Sequence, residues 1–135
     1  MIKSIFVNLP VKDLPRSIAF FTQLGFKFNP QFTNEEASCM ILGKDMFAML
    51  LVDKLFIDFS KRPVGETPKT AEVITSLMLE NRAEVDALAD LALKVGAVNY
   101  SDPVDMGYMY NRSFQDLDGH LWEVGWMDPN HVEPF

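Results

Sequence analysis

Residues 2–9, IKSIFVNL, are rich in β-branched and aromatic side chains and predict a strand. A helix follows. Asp13 is placed to cap it, and Pro15 falls in its first turn, where a missing N–H costs no hydrogen bond. Leu14, Ile18 and Phe21 recur at helical spacing and give it one apolar face, and Gly25 supplies the left-handed stop. Strands are then expected at about 26–29, 37–42 and 46–52, with Gly43-Lys44-Asp45 turning between the last two.

The same order then repeats. EVITSLML, residues 72–79, predicts a strand. Asn81 and Glu84 have the spacing of a capping box. Val85, Leu88, Ala89, Ala92 and Val95 form the apolar stripe of a second helix, which Gly96 ends. Strands are expected at about 97–100, 109–115 and 120–126, the last two joined by the turn Asp116-Leu117-Asp118-Gly119. The pattern is therefore α+β, with two βαβββ modules. Phe6 aligns with Ile74, Asn8 with Ser76, Gly25 with Gly96, and Leu50 with Glu123. Residues 1–52 form the first module and 71–127 the second. Residues 53–70 are a linker with a possible short helix, and 128–135 a tail, all within one domain at 1–135. Two such modules are expected to curl a mixed sheet around a cavity, the usual shape of a small-molecule site.

Composition narrows the function classes. At 135 residues with 48% hydrophobic and 23% charged residues, the chain is long enough for a real core and is not disordered in character. The net charge of −7 and a pI near 4.7 disfavour phosphate backbones and anionic membranes as partners, and no apolar run reaches membrane-spanning length. No secretory leader is evident at the start, and a single cysteine, Cys39, fits a reducing, cytoplasmic setting. Two histidines, His120 and His131, are too few for a His/Cys zinc site. The Asn111-Arg112-Ser113 sequon is read as a chance match.

Residues 7–21, VNLPVKDLPRSIAFF, followed by Leu24-Gly25-Phe26, resemble the opening of the vicinal-oxygen-chelate superfamily, and residues 114–124, FQDLDGHLWEV, resemble its closing hairpin. That superfamily includes glyoxalase I, extradiol dioxygenases, fosfomycin-resistance enzymes and bleomycin-resistance proteins. The resemblance implies paired βαβββ modules and a ligand cavity. In its metal-dependent members the ligands come from the first and last strands of each module. Carried over, those positions are Phe6, Leu50, Ile74 and Glu123, of which only Glu123 binds metals. Neither a metal nor another cofactor is therefore expected.

Strand alternation places Phe6 and Asn8 on one face, Ile74, Ser76 and Met78 on another, and Leu121 with Glu123 on a third; with Leu50, these are the expected cavity lining. Tyr108 and Tyr110 are added as amphipathic wall residues, whereas Trp122 and Trp126 are assigned to the core. His120 is read as a turn residue and Cys39 as core packing. Glu123 is the central expectation: in an apolar cavity its pKa rises unless a donor or a cation such as Arg112 reaches it. The leading function is metal-independent binding or sequestration of a small, largely apolar and possibly cationic molecule, in a homodimer. The alternative is a lyase, isomerase or dioxygenase-like enzyme of the same superfamily with Glu123 as general base.

Overall fold

The fold, from a computed structural model of the chain, is described for residues 1–131. Of the expected tail, residues 132–135 lie outside the described residues. The chain divides into two compact units, with the boundary between Glu66 and Thr67.

In the first unit, β1 (Ile5–Val11) leads through α1 (Leu14–Gln23) into β2 (Lys27–Asn29), β3 (Ala37–Gly43) and β4 (Met46–Val52). The sheet order is β1-β4-β3-β2, with β1 parallel to β4 and the other pairs antiparallel. Asp13 caps α1 as its position predicts, accepting from the Arg16 N–H at 3.1 Å, and Gly25 takes a φ of +97° just past the helix. Leu14, Phe20 and Phe21 of α1 are buried, as are Leu9, Val11, Met40, Ala48 and Leu50 of the sheet. The segment expected to be a linker begins with α2 (Asp53–Ser60), which lies against β1 and β4 and belongs to this unit.

In the second unit, β5 (Ile74–Met78) leads through α3 (Arg82–Lys94) to β6 (Val104–Asp105), β7 (Met109–Gln115) and β8 (Leu121–Met127), in the equivalent order β5-β8-β7-β6. The expected curled sheet is thus two four-stranded mixed sheets. The capping box forms: Asn81 accepts from the Glu84 N–H at 2.9 Å, and the Glu84 carboxylate reaches back to the Glu80 N–H at 3.1 Å. Val85, Ala89 and Ala92 of α3 pack out of solvent, as do Phe114, Trp122 and Val124 of the sheet.

One strand is displaced from its expected place. Residues 97–100 make a single bridge, Val98 with Gln115, and regular pairing resumes only where Val104 meets Asn111. From bridge to strand the chain uses two residues more than β7 does, a local bulge. Pro103, which has no N–H to donate, sits inside it.

The β7–β8 turn is held from within and from outside. The buried Asp116 carboxylate accepts from the Asp118 and His120 N–H groups at 2.9 and 3.0 Å and from the Trp122 indole N–H at 2.9 Å. The Thr67 hydroxyl donates to the Asp118 carbonyl at 2.6 Å. Gly119, at φ +86°, lets this segment approach: a Cβ there would lie 2.7 Å from the Thr67 Cβ and 3.0 Å from the Pro68 nitrogen. Left-handed strain and a backbone collision add at this position, so Gly119→Ala is expected to destabilise the protein by about 3 kcal/mol, read as a lowered denaturation midpoint.

On the helix side of the second sheet, Arg82 at the start of α3 donates to both Asp105 carboxylate oxygens at 2.8 Å and to the Gly107 carbonyl at 2.8 Å. Its guanidinium also stands about 5 Å from the Tyr110 and Trp126 rings, at 5.0 and 5.2 Å. The Arg82 hydrogen bonds, then that of the Gly107 N–H, lower the Asp105 pKa to about 2. A carboxylate lowered in the folded state stabilises above its unfolded pKa of about 3.9 and loses that contribution as pH falls through its folded value. The Asp105 carboxyl is therefore expected to titrate by NMR near pH 2, and Arg82→Ala to move that midpoint upward.

Candidate functional site

The face of each sheet turned away from its first helix is set by the strand register. In the first sheet, β1 pairs Phe6 with Phe47, Asn8 with Met49 and Pro10 with Leu51 on the open side, while Leu9 with Leu50 and Val11 with Val52 point to the helix side. Leu50 is only 1% exposed. Its expected place beside Phe6 is corrected by this register: the residue of β4 equivalent to Glu123 is Met49, one position earlier. A shift of one residue moves a side chain to the opposite face. Phe6 is 48% exposed and stacks on Phe47 with ring centroids 4.7 Å apart; Asn8 is exposed beside it. Cys39 is a buried free thiol whose pKa burial pushes up, in keeping with a packing role.

The open face of the second sheet carries a cleft of about 180 Å³. Its lining falls into three rows across β5, β8 and β7. The first row is Ser76, Glu123 and Ser113, in register, although only the first two line the cleft itself. The second is Met78, Gly125 and Asn111, and the third is Met127 opposite Met109. Glu123 is half-buried, and the Ser76 hydroxyl donates to its Oε2 at 2.8 Å. The expected alternative partner, Arg112, points the other way, donating to Asp86 at 3.2 Å and Asp90 at 2.7 Å of α3.

Tyr110 is likewise on the helix side. It pairs with Trp126 and donates to Asp86 at 2.5 Å, a bond that raises its own pKa and lowers that of Asp86. It is not a wall of this cleft, because odd and even positions of β7 face opposite ways. Tyr108 also lies off the cleft, stacked on His131 with ring centroids 4.1 Å apart. Ile74 and Leu121, partners across β5 and β8, share the open face one row beyond Glu123 but do not line the cleft. Trp122 is fully buried, Trp126 half-buried, and His120 sits in the turn.

Tyr100, outside the expected site, does not line the cleft but lies within electrostatic reach of Glu123. Its hydroxyl is shielded from solvent and makes no well-formed hydrogen bond among the described residues, with Ser113 adjoining it. Burial, and then the charge of Glu123, push the phenol up, against the opposing effect of Ser113. The phenol is thus within electrostatic reach of the Glu123 carboxylate. Continued alternation from Val98 places Tyr100 on the Glu123 face; the sequence signal for this was hidden by the bulge that follows.

The metal chemistry of the resembled superfamily does not fit these residues. On the open faces, the first and last strands present Phe6, Asn8, Phe47 and Met49 in one sheet and Ile74, Ser76, Leu121 and Glu123 in the other, a single carboxylate in all. No group of three His, Cys, Asp or Glu side chains suited to a metal occurs among the described residues. A catalytic metal needs about three protein ligands, so no step is assigned to one.

Comparison with known proteins agrees with this architecture. Residues 3–43 match the family described as bleomycin resistance protein-like N-terminal. No curated protein matches the chain. Among solved structures, a hypothetical protein of S. aureus, SA1046, is 29% identical with a TM-score of 0.80, covering 93% of this chain and 94% of its own. A glyoxalase/bleomycin resistance protein/dioxygenase family enzyme from Burkholderia phytofirmans PsJN is 14% identical, with a TM-score of 0.78 and coverage of 90% and 96%. A glyoxalase/bleomycin resistance protein/dioxygenase from Nocardioides is 20% identical, with a TM-score of 0.72 and coverage of 100% and 88%. The paired βαβββ modules and these neighbours show that the chain has the fold of the glyoxalase/bleomycin-resistance/dioxygenase proteins, and its N-terminal part is similar to the bleomycin resistance protein-like family.

Proposed function

We propose that the protein binds a small organic molecule with an apolar body and a cationic group, without a metal. The observation that carries this reading is the half-buried Glu123 carboxylate at one end of a cleft lined by the methionines Met78, Met109 and Met127, with Ser76, Asn111 and Gly125 completing its walls. A carboxylate partly removed from water gains by pairing with a cation, and thioethers adapt to irregular apolar shapes. At about 180 Å³ the cleft is smaller than a drug-sized pocket, which limits the ligand to a few non-hydrogen atoms in contact. Benzylammonium is expected to bind more tightly than benzyl alcohol in an NMR titration. Glu123→Gln is expected to weaken the first by about fivefold and leave the second unchanged, the scale of a partly exposed ion pair. Equal binding of the two probes to the native protein would remove the basis for this reading.

A second reading, an enzyme with Glu123 as general base, is favoured by Tyr100. A neutral phenol beside a carboxylate is the arrangement that donates a hydrogen bond to a substrate oxygen while the carboxylate takes a proton. With no ligand bound, a buried hydroxyl that lacks a partner opposes folding. Tyr100→Phe is therefore expected to leave stability unchanged or raise it by about 1 kcal/mol in chemical denaturation; a loss of stability would mean that the hydroxyl is already satisfied.

A further inference from the structure

We infer that the apolar body bound in this cleft is a single aromatic ring, held by the thioethers of Met78, Met109 and Met127, one methylene away from an ammonium on Glu123. The inference rests on the ligand-binding reading above and narrows its ligand to a primary arylmethylamine.

The apolar lining is of one kind. Met78 of β5, Met109 of β7 and Met127 of β8 supply it, one from each strand. Among the described residues, no leucine, isoleucine, valine or aromatic side chain lines the cleft. The branched residues of the same face, Ile74 and Leu121, stand on the far side of Glu123, off the cleft. Beneath the sheet, packing is done by other types, such as Val85, Phe114, Trp122 and Val124, all fully buried. The cleft methionines are open instead: Met78 is 55% and Met127 40% exposed. Core packing therefore does not account for them.

A thioether is polarizable, and a sulfur about 5 Å from an aromatic ring, often at its edge, gains an attraction that a branched aliphatic side chain does not supply. Three such groups on three strands can meet one ring at different points of its edge. The size agrees. An apolar cavity of about 150 Å³ accepts benzene, and this cleft measures about 180 Å³. It has space for one ring with a short polar arm, and not for a fused or biaryl body.

The spacing agrees as well. Successive rows on one face of a strand lie about 7 Å apart. An ammonium bonded to the Glu123 carboxylate at about 2.8 Å, carrying one methylene and then a ring, puts the ring centre near the row of Met78 and Asn111. The Met78 sulfur lies in that row, 3.4 Å from where a Cβ on Gly125 would stand. The Met109–Met127 row then borders the far edge of the ring.

The test is an NMR titration of the intact chain with benzylammonium and cyclohexylmethylammonium, which share head group, spacer and ring size. Benzyl alcohol is the uncharged probe. The quantity read is the affinity ratio of the aromatic to the saturated amine, in the native protein and after Met78→Leu and Met127→Leu. Leucine keeps the apolar bulk and removes the sulfur. Each substitution is expected to lower the ratio by about threefold, and the two together by about tenfold, while cyclohexylmethylammonium binding changes by less than about twofold. Both side chains are exposed, so both variants are expected to fold, and Met109→Leu gives the same reading from β7 should either fail. A ratio that none of these substitutions lowers overturns the aromatic assignment. An equal loss for both amines does so too, since the methionines would then be apolar filling alone. In either case, tighter binding of benzylammonium than of benzyl alcohol leaves the ion pair at Glu123 standing. No preference for benzylammonium over benzyl alcohol in the native protein overturns the binding reading itself.

Discussion

The parallel pairing of the first and last strands of each module is the constraint on which the candidate site depends. In a parallel pair, residues opposite each other share a face. The register Ser76 with Glu123 and Met78 with Gly125 therefore decides which side chains meet on the open side and which are buried beneath α3. The first module repeats the register as Asn8 with Met49. Because the strand period is two, this one choice per module sorts every neighbouring residue.

The two sides of the second sheet are chemically distinct as a result. The helix side spends its charges on one another: Arg82 holds Asp105, and Arg112 holds Asp86 and Asp90. These links tie β6 and β7 to α3, and the aromatic rings of Tyr110 and Trp126 lie beside Arg82. The open side keeps Glu123 with hydroxyl neighbours and no basic residue in its register. A carboxylate left with such partners retains the capacity to bind a cation or take a proton, whereas those on the helix side are already engaged. The fold shared with the glyoxalase/bleomycin-resistance/dioxygenase proteins thus carries a single carboxylate among the open-face residues of its first and last strands.

The turn from β7 to β8 supports that arrangement from below. Asp116 gathers three N–H donors, including the Trp122 indole, and so couples the turn to a fully buried ring. Glu123 follows Trp122 directly in the chain. Anchoring the indole on the helix side fixes the strand beneath Glu123, so the turn chemistry and the placement of the site carboxylate belong to one piece of structure.

Much of the molecule was legible in the sequence because its signals are local. Asp13 and Asn81 cap their helices by reaching three residues ahead, Gly25 and Gly96 stop them through positive φ, and apolar spacing assigns the buried face of each. The doubled order and the two end motifs carried the fold, and strand alternation put Ser76, Met78 and Glu123 on common ground. Register between strands distant in sequence was not local, and tertiary pairing alone decided it. It set Met49 rather than Leu50 opposite Asn8, turned Tyr110 toward Asp86, and gave Arg112 to α3 instead of Glu123. Tyr100 was equally invisible, since its place near Glu123 depends on the bridge from Val98 to Gln115 and the bulge that follows. A sequence specifies which face a residue shares with its own strand, but only the hydrogen-bonded partner strand determines what stands beside it.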